Sequence, residues 1–247
     1  MSSKPLAMTL SGNSGALYLL PNTLGDIDPN TVMPAPVMEK LRSLRYLIAE
    51  TPKVARQLLK NAGITTPVQD IKIARLDEHT PAAALEALLA PLQNEDGGLV
   101  SDAGCPAIAD PGAPLVRMAH ERGIRVVPLV GPSSIMLALM ASGLNGQRFA
   151  FHGYLPVEEQ ALTERLRLLE IASRQGLQTQ IFIETPYRNE RMLAAILRSL
   201  RETTYLCVAS ELTLQTETIA TKNIRDWRRS TLPALKNRPT VFLFLSA

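Results

Sequence analysis

A chain of 247 residues, 46% hydrophobic and 20% charged, can form one large globular domain or two modest ones without a metal or disulfide staple. Its formal charge of +3 is too small to mark the whole molecule as a nucleic-acid binder, and no run approaches the ~18 apolar residues of a membrane helix. Cys105 and Cys207 lie far apart, and His79, His120 and His152 stand alone, so no metal site is expected. Reduced thiols and a polar, small Met1–Gly15 without the apolar core of a secretory signal point to a cytoplasmic protein.

In chain order, the pattern predicts a strand over Leu17–Leu20 and a Pro/Asn/Asp-rich loop from Pro21 to Pro36. A helix over Val37–Leu44, a strand over Tyr46–Ala49 and a helix over Val54–Ala62 follow. Ile71–Ala74 reads as a strand and Ala82–Leu92 as a helix. Leu99–Ser101 and Arg125–Leu129 are strands around the helix Leu115–Arg122, and Ile135–Ala141 is a helix ending at Gly143. This alternation implies a mainly parallel sheet with helices on both faces. Beyond it, Phe149–Phe151, Gln180–Glu184, Tyr205–Ala209, Thr213–Thr221 and Val241–Leu245 have strand character. Glu158–Arg174, Asn189–Leu200 and Ile224–Arg229 are helical. Adjacent Thr-rich runs without an intervening helix suggest antiparallel pairing, hence a mixed second sheet. Gly153-Tyr154-Leu155-Pro156 punctuates the chain and sets the expected boundary, an α/β domain over 1–153 and a second over 154–247.

Five loops follow strands, where open α/β sheets place ligands. Ser101–Gly112 is rich in small residues and in X-Pro pairs. It serves either as a ligand wall or as a turn that caps the next helix with Asp110, Pro111 taking the first helical position. Gly131-Pro132-Ser133-Ser134 opens a helix whose free amides suit an electronegative ligand atom or need only an N-cap. It lacks the lysine of a P-loop and the spacing of a dinucleotide fingerprint. Pro21–Asp26, Ala49-Glu50-Thr51-Pro52-Lys53 and Glu184-Thr185-Pro186-Tyr187-Arg188 complete the set, expected to line one cleft between the domains. Between Lys222 and Arg238, six basic residues face Asp226 alone, either a phosphate-binding patch or a solvated helix face.

Taken together, Leu17–Pro21, Ser101-Asp102-Ala103-Gly104 through Asp110-Pro111-Gly112, Gly123–Leu129, Gly131-Pro132-Ser133 and Gly153–Pro156 resemble the tetrapyrrole-methylase-like (class III) S-adenosylmethionine-dependent methyltransferases. The resemblance is strongest to the branch that methylates a ribose 2′-hydroxyl of small-subunit ribosomal RNA. It implies two α/β domains with S-adenosylmethionine between them, a homodimer, and an RNA or ribosomal-subunit acceptor. By position it assigns cofactor contacts to Pro21, Asp102, Ala103, Gly104, Ile108, Ser133 and Ser134, and more weakly to Thr185, Ala209 and Pro239. Glu50 is the candidate base, or else a carboxylate placed at a helix start by the dipole, and Lys53 is a candidate acceptor or phosphate contact. Where the RNA branch has Pro-Thr-Pro-Ile-Gly-Asn and Ala-Glu-Asp-Thr-Arg, this chain has Pro21-Asn22-Thr23-Leu24-Gly25-Asp26 and Ala49-Glu50-Thr51-Pro52-Lys53. Methylation of a small molecule such as a tetrapyrrole, and non-catalytic cofactor binding, are the alternative functions.

Overall fold

The computed structural model describes residues 15–246; Met1–Ser14, part of the polar stretch read above, lie outside them. The described chain forms two compact units. The first takes the chain up to Asn22 and Asp28–Gly131, the second Thr23–Ile27 and the chain from Pro132 onward. The division therefore falls at Gly131–Pro132 rather than after Gly153. The cause is pairing: the strand that ends at Tyr154 bonds to the second sheet, so residues 132–153 belong with it.

In the first unit the order is β1 (Ala16–Leu20), α1 (Ala35–Ser43), β2 (Tyr46–Ala49), α2 (Pro52–Asn61), β3 (Lys72–Arg75), α3 (Ala82–Leu89), β4 (Gly97–Val100), α4 (Ala113–Glu121) and β5 (Arg125–Pro128). The strands lie β3-β2-β4-β1-β5, every pair parallel. Alternation across the pleat explains why the strands read as unbroken apolar runs. Leu20, Leu47 and Val100 pack against α1 and α2, whereas Leu17, Tyr46, Ile48 and Leu99 pack against α3 and α4. Each such side chain contributes roughly 1.5–3 kcal/mol by leaving water.

The central strand β4 starts at Gly97-Gly98, two residues earlier than its side chains suggest. A Cβ on Gly97 would lie 2.5 Å from Leu92 Cδ2, and one on Gly98 would lie 2.3 Å from Leu20 Cδ1. Neighbouring leucines occupy the space that a side chain would take. Pro34 before α1, Pro52 at the start of α2 and Pro114 in the first turn of α4 fix helix starts ahead of the first buried position.

The second unit runs α5 (Ser134–Ser142), β6 (Phe149–Tyr154), α6 (Glu159–Gly176), β7 (Thr179–Ile183), α7 (Asn189–Ser199), β8 (Tyr205–Ser210), β9 (Thr218–Asn223), α8 (Ile224–Arg229) and β10 (Thr240–Leu245). Its sheet is mixed, ordered β6-β7-β10-β8-β9, with β6 parallel to β7 and the other pairs antiparallel. Phe182 stacks on Phe242 at 5.8 Å beneath α6, α7 and α8, and α5 covers the opposite face. The Thr-rich run is a strand only from Thr218. Glu211 (φ 53°) and Thr213 (φ 73°) are left-handed, and the Thr213 amide donates to Glu217 Oε2 at 2.8 Å, so residues before Thr218 turn instead.

Candidate active site

In the first unit, β4 lies between β2 and β1. The chain leaves β1 for α1 on one face of the sheet and leaves β4 for α4 on the other. Adjacent parallel strands whose connections diverge open a crevice at their carboxyl ends, the ligand position of such sheets. Pro21, Glu50 and Asp102–Gly104 all stand at this edge.

Asn22 stitches the crevice. Its side chain is 4% exposed, and its amide donates to the carbonyls of Ser101 at 3.2 Å and Asp102 at 3.1 Å. Its backbone exchanges two hydrogen bonds with Gly104, at 2.8 and 3.2 Å. On the other side, the Asp102 carboxylate accepts from the Thr51 amide at 3.2 Å and from its hydroxyl at 2.7 Å. Asp102 therefore joins the β4 loop to the loop that carries Glu50, a role that its assignment as a cofactor contact did not include. Asn22 and Thr51 were missed as site residues. The available signal was a short hydrogen-bonding side chain directly after a strand.

Asp110 does not cap α4. Gly112 occupies that position, and Asp110 Oδ1 instead accepts from the amides of Ala107 at 3.1 Å and Gly112 at 2.8 Å. This turn holds Ala107 (φ 65°) and Ala109 (φ 57°) in left-handed conformations that cost about 1–2 kcal/mol each for an L-residue. Ile108 between them is 51% exposed. Gly131, after β5, backs onto Pro21, where an added Cβ would lie 2.2 Å from Pro21 Cβ. Only glycine admits this approach of the two loops.

The electrostatics are acidic around Glu50. Burial first, then the like charges of Asp102, Asp110, Glu78 and Asp77, push its carboxyl above the ordinary range. Burial also raises Asp110, against the pull of the Gly112 and Ala107 amides. Lys53 lies exposed in the first turn of α2.

In the second unit, Ser133 caps α5, its hydroxyl 3.5 Å from the Met136 amide, and Ser134 opens the helix. The carboxyl end of β7 meets the amino end of β10 and the carboxyl end of β8, which brings Thr185 and Pro239 to one sheet edge. There Glu184 Oε1 accepts from the Thr185 amide at 2.6 Å and from Arg188 Nη2 at 2.6 Å, while the Pro239 carbonyl accepts the Glu211 amide at 2.8 Å. Ala209 is enclosed within β8 at 0% exposure and presents no surface to a ligand.

The basic segment from Lys222 to Arg238 is in part internal support. Arg228 donates to the Leu197 carbonyl at 2.6 Å, Arg238 pairs with Glu211 at 2.6 Å, and the Lys222 ammonium sits 4.9 Å from the Trp227 ring centre. Among the described residues no cluster suits a metal ion, and no helix is long and apolar enough to cross a membrane.

A family model described as Tetrapyrrole (Corrin/Porphyrin) Methylases matches residues 35–227. The chain is 36% identical over 208 residues to a protein of Escherichia coli O157:H7 named Ribosomal RNA small subunit methyltransferase I, covering 84% of this chain and 68% of that one. Its identity to a Haemophilus influenzae protein of the same name is 34% over 218 residues, covering 87% and 73%. Among solved structures, the methyltransferase CobJ matches with a TM-score of 0.61 at 17% identity, with 95% of each chain covered. Uroporphyrin-III-C-methyltransferase from Thermus thermophilus matches at 0.51 and 16%, covering 94% and 92%. These two likenesses speak for the fold alone: two α/β domains of the kind expected from the sequence.

Proposed function

The chain belongs to the tetrapyrrole (corrin/porphyrin) methylase family, and from that premise we propose that it transfers a methyl group from S-adenosylmethionine to a ribose 2′-hydroxyl of small-subunit ribosomal RNA. The observation that carries this reading is the 36% identity, over 84% of the chain, to a relative named for that RNA.

Several features of the loops fit the cofactor. Ile108 offers an exposed apolar side chain on a loop over-determined by Asp110, suited to the face of a purine. The first amides of α5 behind Ser133 and Ser134 suit its polar atoms, whereas the amide and carbonyl of Gly104 are taken by Asn22 and shape the loop. S-Adenosylmethionine, when bound, supplies a methyl on a sulfonium that departs as a neutral thioether.

The remaining work falls to the chain's own residues. Orientation of the hydroxyl is the largest part, since positioning alone can lower a barrier by ~7–11 kcal/mol. Glu50 takes the hydroxyl proton as the oxygen–carbon bond forms. Its raised carboxyl brings it nearer the working pH of a general base, a contribution of ~10²–10⁴-fold. Lys53, three residues further on, contacts a neighbouring phosphate as a point charge.

The test is incubation with labelled S-adenosylmethionine and small ribosomal subunits from a strain that lacks this protein. Label is expected in the RNA at an alkali-resistant phosphodiester, because a 2′-O-methyl group removes the internal nucleophile of alkaline cleavage. Label confined to small molecules, or at an alkali-labile position, would sink the reading.

A further inference from the structure

Residues 40–75 hold eight lysines and arginines against Glu50 and Asp70 alone, in a chain whose net charge is +3. Several of these cations are occupied. Lys40 pairs with Asp96 at 3.3 Å, Arg75 with Asp77 at 2.8 Å, and Arg42 donates to the Ala62 carbonyl at 2.6 Å. Lys53, Arg56 and Lys60 differ: all three are exposed, and among the described residues none enters an ion pair.

These three lie on α2 at positions i, i+3 and i+7, one row of the helix surface. The opposite row, Ala55, Leu58 and Leu59, is buried against the sheet. The row spans about 10 Å at 1.5 Å per residue. That length is enough to meet successive phosphates of one strand. No acidic residue interrupts α2, and Gln57 and Asn61 beside the row bond to each other at 2.7 Å. None of the large exposed hydrophobic side chains lies on this helix, so a lipid surface would find nothing to receive into its apolar layer.

The row also has a direction. It begins at Lys53, in the first turn of α2 and three residues after Glu50 in the chain, and runs away from the strand end. We infer that the outward row of α2 is the phosphate track of the RNA acceptor, leading a single-stranded segment to the ribose presented at Glu50. This rests on the RNA reading above and adds the surface that holds the substrate.

The measurement is binding of the full chain to purified small-subunit ribosomal RNA as a function of salt, with Lys53 left intact. The double substitution Arg56→Gln/Lys60→Gln is expected to make the negative slope of log K against log salt shallower by about 1.4, or ~0.7 per phosphate lost from a single strand. The exchange Arg56→Lys/Lys60→Arg should keep the slope. Arg225→Gln/Arg229→Gln, in the other basic segment, should leave it unchanged. The inference is overturned if the first pair leaves the slope intact, if the charge-preserving exchange loses it equally, or if the Arg225/Arg229 pair carries it instead. It is also overturned if the first pair abolishes only binding to phosphatidylserine vesicles. Failure of the RNA reading itself appears separately, as absence of alkali-resistant label with the unaltered protein.

Discussion

The Asp102 carboxylate holds Thr51 with both oxygens, taking the hydroxyl at 2.7 Å and the amide at 3.2 Å across the ends of β4 and β2. The pair is open to solvent, so its net worth to folding is about 0.5–1.5 kcal/mol. Its worth to the site is greater, because Thr51 follows Glu50 directly and fixes where that carboxyl stands. Thr51→Val is expected to shift the melting temperature by only a few degrees while methyl transfer falls ten-fold or more. Thermal unfolding and initial rates on the same preparations check this. A variant equally active but less stable would make the pair structural only.

Glu50 separates activity from stability in the opposite sense. Replacement by Gln should reduce transfer ~10²–10⁴-fold, the usual worth of a general base. Its carboxyl is raised in the folded chain by burial, then by Asp102, Asp110, Glu78 and Asp77, and returns to the ordinary range on unfolding. A raised acid contributes stability below its unfolded value, and that contribution is lost as pH rises through the folded one. At neutral pH the ionised Glu50 is therefore unfavourable, and Glu50→Gln should be as stable as the parent or more so. Urea midpoints at pH 4 and pH 7.5 measure it; a clear loss at pH 7.5 would contradict the arrangement.

The contrast between these loops and the scaffold beneath them explains what could be read from the chain. Tyr46–Ala49 is fully buried and apolar, and the pattern alone places it. The start of β4 escaped because Gly97-Gly98 normally breaks structure, whereas here Leu92, Leu20 and Tyr46 fill the space above them. The domain boundary escaped because β6 joins its sheet by pairing with β7, which local pattern does not contain. The strand-end position of their loops brought forward Glu50 and Asp102, and the resemblance added the cofactor assignment of Asp102. The grip of Asp102 on Thr51 and of Asn22 on Ser101 links residues far apart in sequence, and no spacing rule encodes it. In the sequence alone, three cations at helical spacing on α2 look like any solvated face. The distinction of this row is the absence of paired acids, which only the structure reports.

Asn22 is the sharpest test of the stitched crevice. Its buried amide supplies donors to the Ser101 carbonyl, which is buried with it, and to the half-buried Asp102 carbonyl. Asn22→Ala should cost about 2 kcal/mol, the usual price of a buried acceptor left unmatched, and lower the melting temperature by roughly 4–8 °C. Asn22→Asp keeps the shape but turns an ionised oxygen toward one of those carbonyls. Burial would raise the new carboxyl, so the variant should be weakest near neutral pH and recover as pH falls and the group protonates. Melting curves between pH 4 and pH 8 should therefore converge with those of the alanine variant, or rise above them, only at the acidic end.

The two left-handed alanines offer a substitution expected to stabilise. At Ala109 (φ 57°) an L-residue costs about 1–2 kcal/mol, and glycine adopts this region freely. Part of the gain is returned, because glycine widens the unfolded ensemble by roughly 0.5–1 kcal/mol. Ala109→Gly should therefore raise stability by about 0.5–1 kcal/mol. The same change loosens the segment that presents Ile108, which is held outward by the turn around Asp110. If Ile108 covers the purine of S-adenosylmethionine, calorimetric affinity for that molecule should fall even as the melting temperature rises, because binding must then order a freer loop. A variant that gains in both would leave the left-handed alanines without a part in cofactor binding, and Ile108 would be an exposed side chain with no ligand of its own.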